Sequence, residues 1–238
     1  MATAVTKRED DIHPQTGDMV HASTQLRIFR LVLRGLFKLV FRIRLVGLEN
    51  VPKRPVIICA NHLGWTDAFL VLLFLPIEPR IYILGERQVA HISKFRNAFI
   101  RWMEVMVPLD RDKPLEAVRE MSAVLKGGGS LLIFPEGKLG KVEGELQPLQ
   151  QGAPHLSLHT STPILPLGLT GPSELWLRRS LTMRIGKPIE PVQFNGDLRT
   201  KMSTLTWQLQ RDMCALLPGD TGPEPKVKIL NKWLTELL

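Results

Sequence analysis

Cysteine is scarce in this chain: Cys59 and Cys214 are the only two among 238 residues, far apart and without metal-ligand spacing. With Cys59 in a predicted buried strand, reduced thiols and a cytosol-facing protein are expected. The six histidines are scattered, so the pattern a zinc site needs is missing and no metal is expected. No Gly-x-Gly-x-x-Gly occurs, and Gly137-Lys138 lacks the upstream glycine of a Walker-A loop, which argues against nucleotide-dependent chemistry. Gly128-Gly129-Ser130-Leu131-Leu132 lacks the second glycine of a nucleophile elbow. Aromatics make up 6% with a single tyrosine, so the basic residues have no stacking platform for nucleic acid beside them. No clean transmembrane run exists either, because the long uncharged stretch after Glu145 is interrupted by His155, Pro163 and Pro166.

What the chain does have is a globular hydrophobic share of 44% and a surplus of 31 basic over 23 acidic residues, a net +8. The first permits one sizeable core and the second favours anionic partners such as anionic lipid or phosphorylated substrates. Residues 1–20 are polar and charged and read as a flexible tail, 21–48 as an amphipathic helical segment, 49–217 as the main domain, and 218–238 as a breaker-rich linker with a C-terminal helix. Within the main domain, strands are predicted at Val56–Ala60, Arg80–Leu84, Val105–Pro108, Leu131–Phe134, Ile164–Leu169 and Thr182–Ile185. Helices are predicted at Ala68–Leu75, Ser93–Met103, Pro114–Lys126, Gln150–His159 and Thr200–Leu216. This alternation predicts a three-layer α/β/α fold around a central mixed sheet.

The segment from Leu26 to Leu45 carries Arg27, Arg30, Arg34, Lys38 and Arg42 at spacings of three or four, a single basic stripe on a helix that is otherwise Leu, Ile, Val and Phe. Spanning a bilayer would cost about 2.5–3.5 kcal/mol for each central charge. Lying in the interface, with the cations at anionic head groups, costs far less, so a membrane-contact helix is expected. The competing reading is an amphipathic helix packed on its own domain. The C-terminal helix, Val227 to Leu237, offers Trp233, Leu234 and Ile229 beside Lys228 and Lys232; docking on the domain is preferred for it, with a second membrane contact as the alternative.

Two polar motifs stand where apolar strands end. Val56 to Ala60 runs into Asn61-His62-Leu63-Gly64-Trp65-Thr66-Asp67, and Ser130 to Ile133 runs into Phe134-Pro135-Glu136-Gly137. An imidazole held by a carboxylate can take a proton from a hydroxyl and return it to a leaving group, and two such strand ends suggest one site at one sheet edge. By itself the first motif is equally a loop histidine followed by an N-cap aspartate. Asn61 and Gly64 are expected to shape the loop, and Trp65 to pack it or to border a lipid channel.

Two further blocks complete the pattern: Val107-Pro108-Leu109-Asp110-Arg111, and Pro163-Ile164-Leu165-Pro166-Leu167-Gly168. In this order and at these separations, over roughly Val51 to Ile189, the four blocks resemble those of the glycerophosphate/lysophosphatidic acid acyltransferase family. The resemblance implies His62 as general base and Asp67 as the group that fixes its tautomer, with direct attack of the acceptor hydroxyl on an acyl thioester. It implies Arg111 as the ligand of the acceptor phosphate, a role suited to a planar, always charged fork, although a surface pairing with Asp110 or Asp112 is open too. Glu136, Gly137 and Lys138 would build the acceptor pocket, and Ile164 and Pro166 belong to the hydrophobic strand block. No bound cofactor is implied; acyl-CoA or acyl carrier protein would be a co-substrate, a lysophospholipid the acceptor and an anionic membrane the platform, on the cytoplasmic face, peripheral or monotopic. Only a neutral imidazole can act as base, so activity should fall in acid. The chain departs from the family where Lys138-Leu139-Gly140 replaces Thr-Arg-Ser, and at Glu104 and Gln150. A different amphiphilic acceptor, or a non-catalytic lipid-binding member of the fold, are the alternatives.

Overall fold

The structure is a computed structural model and describes residues 19–86, 105–109, 112–193, 196–217 and 227–235. Residues 1–18 of the expected tail 1–20, the helix over 93–103, Glu104, Arg111 and the linker residues 218–226 lie outside them, whereas Met19 packs against the core and the Val20 carbonyl accepts the Arg80 N–H at 2.9 Å. Helix α1 (Thr24–Val40) opens the described chain, and strand β1 (Arg42–Val46) follows. Then come β2 (Ile57–Ala60), α2 (Thr66–Phe74), β3 (Ile81–Glu86), β4 (Met106–Leu109), α3 (Pro114–Lys126), β5 (Ser130–Ile133), α4 (Gly152–Thr160), β6 (Ile164–Thr170), β7 (Ser180–Ile185), α5 (Leu198–Ala215) and α6 (Asn231–Thr235).

The strands form one mixed sheet in the order β1-β7-β6-β2-β5-β3-β4, parallel throughout except for the antiparallel β6–β7 pair. Strand β2 is apolar on both sides because both faces are covered. Ile58 and Ala60 join a core with Phe37 of α1, Leu70 and Phe74 of α2 and Leu234 of α6. Ile57 and Cys59 meet Val124 of α3, Leu156 of α4 and Leu209 of α5 on the other side. Burial pushes the Cys59 thiol up, leaving a weak acid in the core. The α/β/α expectation therefore holds.

Beyond β2 the chain crosses through α2 to β3, whereas beyond β5 it crosses back through α4 to β6. The connections leave neighbouring parallel strands in opposite directions over opposite faces, which opens a crevice at their carboxyl ends. Both polar motifs lie there.

Two boundaries differ from the sequence reading. The amphipathic segment does not run helical through Leu45: Phe41 turns extended, and Arg42–Val46 becomes an edge strand paired in parallel with β7. Ile43 and Leu45 face the core, so their alternation with Arg42 and Arg44 is a strand period that a helical reading absorbs. Arg42 thus leaves the helical stripe. At the other end, the helix among the described residues 227–235 is confined to the short α6, with Leu230 in a left-handed conformation at φ 61° just before it.

Helix α1 differs from an ordinary surface helix in carrying arginines into its inner face and a row of apolar side chains on its outer one. Ser23 caps it by accepting the Leu26 N–H at 3.2 Å. Arg30 donates to the Leu73 carbonyl at 3.0 Å and also to that of Leu75, the carbonyl end of α2, where the helix dipole favours a cation. Arg27 pairs with Glu78, and Arg34 lies 5.4 Å from the centre of the Phe74 ring. Half-burial, with Arg34 adding repulsion, pushes Arg30 down to about 10. Meanwhile Leu31 and Leu39 are 74% and 70% exposed, in line with Ile28, Val32 and Leu36. Arg30 and Arg34 thus share the inner face with Leu33 and Phe37, while most of the other apolar side chains of the helix face outward. Among the described residues, no helix is long and apolar enough to cross a membrane.

Candidate active site

The loop after β2 carries His62 into the crevice, and α2 begins within it at Thr66, so Asp67 sits in the first helical turn. Asp67 is fully buried. Its Oδ2 atom accepts the Leu63 N–H at 2.5 Å and the Gly64 N–H at 2.8 Å, and stands 2.8 Å from His62 Nδ1. A carboxylate oxygen taking two backbone donors is held as an acceptor, which assigns the proton of the contact to Nδ1. Nε2 is then the basic nitrogen. The His62 side chain is 28% exposed, and its ring stacks on Phe134 with centroids 4.1 Å apart. Asp67 is therefore more than an N-cap.

The backbone of His62 is clamped on both sides by the third block. Its N–H donates to Glu136 Oε1 at 2.9 Å, and its carbonyl accepts the Gly140 N–H at 2.6 Å. Glu136 Oε2 accepts the Gln147 N–H at 2.8 Å, and the side chain is buried. The glutamate thus ties the His62 backbone to the loop that follows the third block. Asn61 does the same job toward the opposite neighbour: its amide donates to the Leu169 carbonyl at 3.0 Å and accepts the Leu169 N–H at 2.7 Å, tying the end of β2 to β6.

The glycines are explained by closeness and conformation. A Cβ on Gly64 would lie 3.2 Å from the Pro172 carbonyl oxygen, so the catalytic loop can rest against the loop after β6. Gly137 has φ 70°, where a side chain is strained. Lys138 follows it, exposed to solvent. Ile164 and Pro166 are not brought to the site. Ile164 starts β6, opposite Ile57, at the other edge of the sheet from His62, and its side chain belongs to the core beneath α4 and α5. Pro166 stands where the β7 ladder begins, its carbonyl accepting the Gly186 N–H at 2.9 Å. Leu169, one residue beyond the block, touches the site through Asn61. Reading the strands alone passes over Gly140, Gln147 and Phe134; their signal is position, in or just beyond the third block.

A parallel-stranded crevice holding an imidazole oriented by a buried carboxylate is an arrangement able to take a proton from a hydroxyl, as an acyl-transferring enzyme requires. The comparisons agree on the class. A family model described as Acyltransferase matches residues 42–170, and the chain belongs to that family. It is 32% identical over 199 residues to a 1-acyl-sn-glycerol-3-phosphate acyltransferase of Cocos nucifera, covering 80% of this chain and 61% of that protein. A protein of the same name from Pseudomonas aeruginosa is 27% identical over 147 residues, covering 58% of this chain and 55% of its own. The chain therefore spans about half to three fifths of these curated relatives' length. The crystal structure of the 1-acyl-sn-glycerophosphate (LPA) acyltransferase PlsC from Thermotoga maritima has the same fold, with a TM-score of 0.65 at 22% identity, covering 80% of this chain and 79% of that one.

Proposed function

We propose that this protein transfers a fatty acyl group from a thioester, acyl-CoA or acyl carrier protein, to the hydroxyl of a lysophospholipid, with 1-acylglycerol-3-phosphate as acceptor and phosphatidic acid as product. The observation that carries the reading is an imidazole whose Nδ1 is held by the buried Asp67, with Nε2 making no hydrogen bond to the described residues. Nε2 takes the acceptor's hydroxyl proton as that oxygen attacks the thioester carbonyl. The carbon–sulfur bond then breaks, and the departing thiolate recovers the proton from the imidazolium. Asp67 stabilises the transient cation. The relatives' names support the acceptor, and Arg111 and Lys138 are proposed to meet its phosphate. Thiol release from both donors, with and without lysophosphatidic acid and with the lipid product identified by mass spectrometry, is the test. Acceptor-dependent release supports the assignment. Release without acceptor dependence would defeat it, and turnover with a different lysolipid alone would move the assignment to that acceptor.

The protein works, in this reading, as a peripheral or monotopic enzyme on the cytoplasmic face of an anionic membrane, lying on α1. The outward leucines support it, since a face of this kind gains by entering the acyl region. Changing Leu31 and Leu39 together to glutamine is expected to weaken vesicle binding at least about tenfold. Because Arg27, Arg30 and Arg34 are engaged within the protein, added salt is expected to weaken binding less than this pair of substitutions does. Vesicle co-sedimentation at low and high salt measures both.

A further inference from the structure

The C-terminal segment is docked and exposed at once. Leu234 is buried in the core beside Phe37, while Trp233, one residue earlier, is 61% exposed, and Ile229 and Leu230 stand out with it. The segment is anchored to the domain through residues 174–177: Lys228 and Asn231 both bind Glu174, and Asn231 also reaches the Leu175 carbonyl at 3.1 Å. Its backbone is linked to the C-terminal end of α1 through residues 177 and 178. Arg178 donates its N–H to the Val40 carbonyl at 2.6 Å, and the next residue back, Leu177, donates to the Ile229 carbonyl at 2.9 Å.

The chemistry of this combined surface points to one occupant. Residues 24–40, 176–178 and 227–235 contain no aspartate or glutamate. Their exposed charges are cationic, Lys38, Arg178 and Lys232 among them. An apolar centre with a cationic edge and an indole at its rim matches the interface of an anionic bilayer, where tryptophan takes up the boundary and cations meet head groups. A partner protein would be expected to meet these cations with acids, and a second copy of this surface would bring like charges together.

We propose that residues 227–235 form a second membrane-inserting pad, with Trp233 and Ile229 entering the lipid next to α1. The pad rests on the membrane reading above and extends it to the catalytic loop. Trp65, three residues beyond His62, donates its indole N–H to the Leu234 carbonyl at 2.9 Å and packs edge-on against Phe37 of α1 at 6.3 Å. The two lipid-facing elements therefore meet at the loop that carries the base, which sets that loop beside the surface from which a lysolipid arrives.

The test uses the full chain and vesicles of phosphatidylcholine with and without phosphatidylglycerol. The double variant Ile229→Ser/Trp233→Ser leaves the Leu234 anchor and the Trp65 bond in place and is expected to bind about tenfold more weakly than wild type. Vesicles of brominated lipid should quench part of the tryptophan fluorescence, and Trp233→Phe should lose that part while the four other tryptophans remain. Unchanged binding in the double variant together with unchanged quenching in Trp233→Phe would overturn the pad. If only the Leu31/Leu39 pair loses binding, the α1 reading stands and the pad falls. If only the C-terminal variants lose it, the pad stands and the α1 reading falls. A lipid-free dimer that dissociates in the double variant would assign the face to a second copy and overturn the proposal too.

Discussion

His62→Ala is expected to reduce kcat/KM by at least about 10²–10⁴-fold, with thermal stability close to wild type. The side chain is partly exposed and, among the described residues, its ring makes one hydrogen bond and one stacking contact, so its removal leaves the sheet intact. Asp67→Asn should come close to the same loss for another reason. An amide in place of the carboxylate can present an N–H toward Nδ1, which moves the imidazole proton to Nε2 and removes the lone pair needed there. Its consequences are not purely kinetic, because the backbone N–H groups of Leu63 and Gly64 also depend on Oδ2. Acceptor-dependent thiol release, measured beside a thermal melt, separates the two variants. Near-normal turnover by folded His62→Ala would remove the histidine from the chemistry.

The second large effect is expected from Glu136→Gln. Both carboxylate oxygens accept backbone N–H groups, from His62 at 2.9 Å and from Gln147 at 2.8 Å, in a buried position. A glutamine can satisfy one of those donors but turns its own NH₂ group toward the other, leaving buried donors face to face. The stability cost is about 1–3 kcal/mol, visible as a lower Tm. With the His62 backbone released on one side, kcat should fall by an amount approaching about 10²-fold, the penalty typical of a misplaced catalytic group. The alternative, in which Glu136 grips the acceptor, predicts a different signature: a raised KM for the lysolipid, with Tm unchanged. Measuring kcat, KM and Tm together decides between positioning and binding.

Several features of this molecule are local and were legible in the chain. The strand–helix alternation of the main domain follows from apolar runs and periodicity, and α3 occupies the predicted Pro114–Lys126 span. The His62–Asp67 pair is legible because one loop and the first turn of α2 span it. Two polar strand ends at one sheet edge follow from parallel neighbours, and β2 and β5 are such neighbours.

What tertiary structure decided is what sequence distance conceals. Glu136 reaches His62 across 74 positions and Asn61 reaches Leu169 across 108, and a single sequence does not mark which backbone group a buried side chain will meet. Strand β1 was hidden in a helical pattern because a strand is completed by its partner, here β7, whose pairing is nonlocal. Helix α1 is the clearest case. Periodicity in the chain by itself determined that α1 has a basic stripe and apolar flanks, just as it determined the alternating α/β order. Only the packed structure decided that Arg30 and Arg34 of that stripe turn inward, because what draws them there, the carbonyls at the end of α2 and the Phe74 ring, comes from elsewhere in the chain.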